Sequence, residues 1–204
     1  MSRGDRERWD ARYADGAYQS RRHPSHFLEQ TADRLPHEGR ALDLACGAGR
    51  NAIYLARRGL RVDAVDISRT ALERGRAVAG NLPIRWIECD LDDGFGAPAD
   101  YDLIVNIRYV NLGLVSTLIE SMRPSGVLVV EQHLATEADV IGPKNPAYRV
   151  GTGELARVAR GMVVEHIEEG LFDDPDGRRA ALARLLARKP ACVPGKLTPT
   201  GSKA

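Results

Sequence analysis

From Arg40 onward, apolar and polar positions repeat one rhythm: a short apolar run, a break at glycine or an acid, then an amphipathic stretch. "RALDLA" (40–45) predicts a strand, and Asn51 to Arg58 a helix closed by Gly59 at its C′ position. "LRVDAVD" (60–66) predicts a second, β-branched strand, and "SRTALERGRAVAG" (68–80) a helix with Ser68 as N-cap. "IRWIECD" (84–90) and "YDLIVNI" (101–107) follow as strands, the latter apolar throughout, as in a strand covered on both faces. Residues 111–122 predict a helix ended by "RPSG", and "VLVVEQH" (127–133) a fifth strand. Strands alternating with helices require crossover connections, which are right-handed and give a parallel sheet.

The two ends are less regular. Residues 1–18 place Trp9, Tyr13 and Tyr18 among charges, which predicts a short helix and loop that pack on something. Ser25 is a candidate N-cap for a helix to about Leu35. After His133, "LATEADVIGPKNPAYRVGT" (134–152) reads as a long irregular connection, of the length usual for a lid or a disordered segment. "GELARVAR" reads as helix, "MVVEHIEEG" as strand and "DDPDG" as turn. "RRAALARLLARKP" has helical composition. Its place directly after a strand and a tight turn favours a returning hairpin strand, which is the reading adopted. Residues 190–204 read as a flexible tail, leaving one domain over residues 1–189 with residues 1–24 as an N-terminal lid arm.

The composition narrows the class. The chain has 204 residues, 43% hydrophobic and 28% charged, enough for one domain with a sizeable core. A net charge of +1 gives no bulk attraction to nucleic acid or to an anionic membrane, so neither is expected as a partner. The start "MSRGDRERWD" lacks the apolar segment of a secretory signal, and no run is long enough to span a bilayer. Cys46, Cys89 and Cys192 show no CxxC spacing, which fits a reduced, cytoplasmic protein. His23 and His26 in "HPSH" are too few for a metal site, so no metal is expected.

The turn "CGAG" (46–49) lets the backbone pass close beneath a ligand, although G-x-G alone also suits an ordinary strand-to-helix turn. Three acids raise its information content. Asp43 precedes Gly47 by four residues, Asp66 ends the second strand, and Asp90 ends the third. All fall near the carboxyl ends of parallel strands, where open α/β sheets bind ligands. A carboxylate at Asp66 suits two ribose hydroxyls, and one at Asp90 an adenine amino group. A dinucleotide would bring its diphosphate to the helix N-terminus beside Asp43, with Ala52 in place of a third glycine. A cationic ligand is better matched to that acid. S-adenosylmethionine carries an ammonium and a sulfonium and no phosphate.

Here the sequence resembles the class I S-adenosylmethionine-dependent methyltransferases, in particular the small tellurite-resistance-type and thiopurine-type branch. "LDLACGAGRNA", "VDAVDIS", "ECDLDD", "YDLIVN", "RPSGVLVVEQH", "NPAYRVGTGEL" and "RWDARYADGAY" carry the resemblance. It implies a single Rossmann-like α/β domain, with a mostly parallel seven-stranded sheet in order 3-2-1-4-5-7-6, the last strand antiparallel, and helices on both faces. It implies S-adenosylmethionine as cofactor, S-adenosylhomocysteine as product and a small-molecule methyl acceptor. Gly47 and Gly49 would line the methionine moiety beside Asp43; Asp66 would hold the ribose, Ile67 the adenine face, and Asp90 and Leu91 its edge. Asn106 would lie under the methyl donor, and Trp9 and Tyr13 would help close a lid. Ala45, Asn51 and Ser68 complete the cofactor-facing set. Ser125 departs from the glycine usual in that branch, and "NIRYVN" is not the Asn-Pro-Pro-aromatic pattern of amine methylators.

Transfer from a sulfonium is an in-line displacement in which alignment supplies much of the rate, and a base is needed only for a protonated acceptor. The candidate acceptor-side residues are His133 as general base, Arg108 as an anion attractor and Tyr109. Tyr148 and Arg149 are candidates for a lid or a plain surface loop. Two other readings stay open: a non-catalytic S-adenosylmethionine-binding protein, and an NAD-dependent oxidoreductase, for which no Ser/Tyr-x-x-x-Lys set is present.

Overall fold

A computed structural model describes residues 3–16, 18–19, 22–96, 100–173 and 178–191. Seven strands form one sheet in the order β3-β2-β1-β4-β5-β7-β6. They are β1 (Arg40–Leu44), β2 (Arg61–Asp66), β3 (Ile84–Glu88), β4 (Tyr101–Ile107), β5 (Met122–His133), β6 (Val163–Asp173) and β7 (Arg179–Arg188). β1 to β5 pair in parallel, and β7 runs antiparallel between β5 and β6. The helices are α1 (Arg3–Ala14), α2 (His26–Gln30), α3 (Arg50–Arg57), α4 (Arg69–Ala79), α5 (Leu112–Glu120) and α6 (Glu154–Val158).

The apolar core lies on both faces of the sheet. One layer joins Leu42, Leu44, Ile104, Leu128 and Val130 to Val115 and Leu118 of α5 and Leu155 of α6. The other joins Ala41, Val62, Leu103, Val105 and Val129 to Leu55 and Ala56 of α3 and Phe27 and Leu28 of α2. Two covered faces explain why β4 reads as an unbroken apolar run. Local chemistry fixes the helix starts: Ser68 accepts from the Ala71 amide at α4, and Asn111 accepts from the Leu114 amide at α5.

The hairpin expected after residue 162 is present, although its turn at 174–177 lies outside the described residues. β7 is buried along almost its whole length, so the Ala/Leu-rich segment is set by tertiary burial and not by helix propensity. Three boundaries differ from the sequence expectation. The predicted helix at 25–35 is a short α2 followed by a 3-10 turn at Ala32–Arg34, and Ser25 makes no cap because its side chain is engaged elsewhere. β3 stops at Glu88, which leaves Asp90 on the following loop. β5 begins at Met122, with a register shift against β4, and Ser125 sits in that irregular stretch at φ 66.

The connection after β5 is ordered by the sheet it leaves. Leu134 bridges Val150, Ile141 bridges Ala180, and Pro146–Tyr148 forms a 3-10 turn. Among the described residues, no helix is long and apolar enough to cross a membrane.

Candidate cofactor and acceptor site

The glycine turn between β1 and α3 is held by two buried acids. Asp43, 1% exposed, accepts from the Ala52 amide through Oδ2 at 3.0 Å, while its Oδ1 is buried without a hydrogen-bond partner. Burial pushes its pKa up to about 7, with the Ala52 amide and Arg50 opposing and Asp66 adding to the rise. Asp66 accepts from the Gly47 amide at 2.7 Å and from the Ser68 amide at 2.8 Å. Burial raises its pKa too, against those two amides. The backbone of the turn is left-handed at Ala45 (φ 50), Gly47 (φ 56) and Gly49 (φ 74). Glycine adopts this region freely; at Ala45 it costs about 1 kcal/mol.

The lack of a Cβ has a different use at each glycine. A Cβ on Gly47 would collide with the hydroxyl of Tyr13 from α1, and one on Gly49 with the indole of Trp86 from β3. Tyr13 is buried there, with Trp9 6.4 Å away between ring centroids. α1 is fastened over the site by Asp10, whose Oδ1 accepts from the Ser68 hydroxyl at 2.7 Å and the Thr70 amide at 3.0 Å. Arg8 of α1 also hydrogen-bonds Tyr148 of the connection after β5.

The remaining predicted cofactor residues divide. Ile67, next to Asp66 in the chain, and Leu91 are both buried, and Leu91 packs in the same apolar layer as Leu44 and Val65. Asp90 is half-exposed and accepts from the Asp92 amide. Asn106, next to Leu44 in register, accepts from Gln132 Nε2 at 3.1 Å and leaves its own Nδ2 buried without a partner. Asn51 faces the arm that leads into α2: its Oδ1 accepts from the Ser25 amide at 2.9 Å.

The acceptor-side candidates also separate. Arg108, at φ 66 just beyond β4, donates from Nε to Glu131 at 3.1 Å and brings Nη1 to 2.9 and 3.1 Å from the two ring nitrogens of His133. Tyr109 points away and donates to Asp92, which also accepts from Asn111. Sequence reasoning missed Glu131 and Arg184. Glu131 is 2% exposed and takes Arg184 at 2.8 Å, Arg108, and the Ser25 hydroxyl at 3.3 Å. Arg184 continues to Glu168 on β6 at 3.1 Å. The signal was present: a lone charge inside each of two apolar strands, in "VLVVEQH" and "AALARLLA", implies that the charges meet.

Residues 41–126 match the methyltransferase domain family. The strand order and the carboxylates at the strand ends agree with this match to a methyltransferase domain over the first part of the sheet. Among solved structures, the chain is similar to TehB from Haemophilus influenzae (22% identity, TM-score 0.70, covering 87% of this chain and 66% of that one). It is also similar to an S-adenosylmethionine-dependent methyltransferase from Mesorhizobium loti (20% identity, TM-score 0.62, 81% of this chain and 99% of that one). A curated relative, the YqeM protein of Bacillus subtilis (strain 168), a methyltransferase by name, is 28% identical over 109 residues. That match takes in 48% of this chain and 44% of YqeM, less than half the length of either.

The residues at the turn fit S-adenosylmethionine. A buried carboxylate oxygen without a partner suits a cationic ligand and repels a diphosphate. Gly47 and Gly49 keep the turn's backbone bare, with Tyr13 and Trp86 packed against it. Asp66 retains lone pairs beyond the two amides it already serves.

Proposed function

We propose that this chain transfers the methyl group of S-adenosylmethionine to a small-molecule acceptor. The observation that carries the reading is the orphaned Oδ1 of buried Asp43 beside the glycine turn. In this reading Asp43 faces the methionine ammonium, Asp66 takes the ribose hydroxyls, Ile67 and Leu91 enclose the adenine, and Asp90 serves its amino edge. Asn106 lies beneath the transferred methyl. The cofactor supplies the activated methyl; the chain supplies binding, alignment and exclusion of water. α1 and the 134–152 connection together act as the lid, supported by the Arg8–Tyr148 and Asp10–Ser68 contacts. The aromatic arm and the "NPAYRVGTGEL" segment support the tellurite-resistance or thiopurine-type branch as the finer assignment.

A thermal-shift comparison tests this. Bound ligand raises the melting temperature by mass action. S-adenosylhomocysteine is expected to stabilise the chain, and NADH to leave it unchanged. The reverse result would favour the oxidoreductase reading. Stabilisation without methyl transfer into any of a panel of thiols, phenols, carboxylates and oxyanions would favour a sensor.

A further inference from the structure

We infer that Asp10 is a positioning residue for the cofactor: it latches α1 to the start of α4 through Ser68, and so sets how slowly S-adenosylhomocysteine leaves. The inference rests on the methyltransferase reading and concerns the cover of that same site.

α1 is tied to the body by polar contacts more than by core. Among its described residues only Tyr13 is a buried apolar side chain, and α1 contributes to neither apolar layer of the sheet. Arg74 of α4 donates to the Ala14 carbonyl at 3.3 Å, Arg6 stands 3.8 Å from Glu88 of β3, and Arg8 meets Tyr148. These ties lie at the surface, where water and salt weaken them. A shorter and better shielded tie lies nearer the middle of the site: Asp10 Oδ1 accepts from the Ser68 hydroxyl at 2.7 Å and from the Thr70 amide at 3.0 Å. The first amides of the eleven-residue α4 lack intrahelical partners, and a carboxylate there also meets the positive end of the helix dipole. A segment with few buried apolar contacts opens at low cost, so its polar ties decide how often it does.

Ser68 joins this latch to the ligand side. Its amide donates to Asp66 Oδ1 at 2.8 Å, and its hydroxyl donates to Asp10 while accepting from the Ala71 amide at 3.1 Å. The hydroxyl hydrogen is thereby committed to the covering helix. Burial pushes the Asp66 carboxyl up, and the negative charge of Asp10 adds to the rise. Closing α1 therefore brings a second carboxylate towards Asp66. Ribose hydroxyls donating to Asp66 offset that charge, so ligand and closed α1 favour one another by linkage. Tyr13, one helical turn along from Asp10, lies over Gly47, so release of the latch uncovers the glycine turn.

The test measures association and dissociation of S-adenosylhomocysteine on the immobilised full chain by surface plasmon resonance. Asp10→Ala removes hydrogen bonds to a charged acceptor; it should speed dissociation about tenfold or more and leave association within about twofold. Asp10→Asn keeps an oxygen for Ser68 and Thr70 and should restore part of the residence time. In a Ser68→Ala background, Asp10→Ala should add less than it does to the wild type. Amide hydrogen exchange across α1 should quicken in Asp10→Ala, while the urea midpoint read from Trp86 emission in Trp9→Phe protein stays where it was. An unchanged dissociation rate overturns the inference. So does an affinity loss carried by association, or faster dissociation accompanied by a fall in the urea midpoint. Failure of S-adenosylhomocysteine to bind the wild-type chain defeats the underlying methyltransferase reading instead, and the inference with it.

Discussion

The hydroxyl of Tyr13 rests over the Cα of Gly47, in the space a Cβ at that position would fill. The contact joins α1 to the turn between β1 and α3, and it makes the glycine sensitive to the lid as well as to the ligand. Gly47→Ala adds a methyl group against Tyr13 and forces alanine to φ 56, which costs about 1 kcal/mol in backbone strain alone. Calorimetry should find binding of S-adenosylhomocysteine weakened about tenfold or more. Adding Tyr13→Phe makes room, so the double variant should recover part of the loss; no recovery would mean that the two side chains do not compete.

Asp43 gives binding a pH dependence. Its folded pKa of about 7 lies above the unfolded value of about 3.9. Between those values the folded chain holds a proton that the unfolded chain has released. Stability from this group is therefore complete below about pH 4 and is lost as pH rises towards 7, by on the order of 4 kcal/mol. A cationic ligand favours the ionised form. Binding of S-adenosylmethionine should tighten as pH rises through 7 and release protons near pH 6.5. The release is measurable as a difference in binding enthalpy between phosphate and Tris buffers. Asp43→Asn should abolish that difference; a wild-type enthalpy identical in both buffers would exclude Asp43 as the proton source.

The buried Glu131–Arg184 pair stabilises the chain only while both partners are present. Glu131→Leu leaves Arg184 buried beside an apolar side chain, at a cost of about 3–5 kcal/mol. Combining it with Arg184→Met removes the buried guanidinium that Glu131 had balanced, Glu168 being its other partner. The double variant should lose much less stability than the sum of the single variants, a large coupling in a urea-denaturation cycle.

Ser125 occupies the left-handed region at φ 66, where its amide donates to the Lys189 carbonyl at 3.0 Å and its carbonyl accepts from Arg188 at 3.1 Å. Ser125→Gly keeps that carbonyl and relieves the strain. A gain of about 1 kcal/mol is expected, a rise in Tm of about 2–4 °C in a thermal melt.

The parallel half of the fold is legible in the chain because each of its strands carries its own signature. "ALDLA", "VDAVD" and "YDLIVNI" are dominated by apolar residues, and Asp43 and Asp66 fall towards the carboxyl ends of the first two. Cross-strand partners are not legible in that way. Glu131 meets Arg184 only because β7 returns antiparallel to β5 in a register that pairs those two residues. Arg108 and His133 were foreseen near one another. The approach of Gly142 to His133 depends on the fold of the 134–152 connection, and the grip of Tyr109 on Asp92 depends on a loop with no periodicity to read. Asn51 enters the cofactor-facing set through the resemblance, and its Oδ1 accepts from the Ser25 amide, a contact between residues 26 apart in sequence.

The indole of Trp86 lies in a slot that Gly49 and Gly75 leave open, so a Cβ on either glycine would strike it. Trp9, the other tryptophan of the sequence, sits on α1 beside Tyr13. The chain thus carries one natural fluorophore behind the glycine turn and one on the helix above it. Emission read from Trp86→Phe and Trp9→Phe proteins separates events at the turn from movement of the covering helix, with no dye attached.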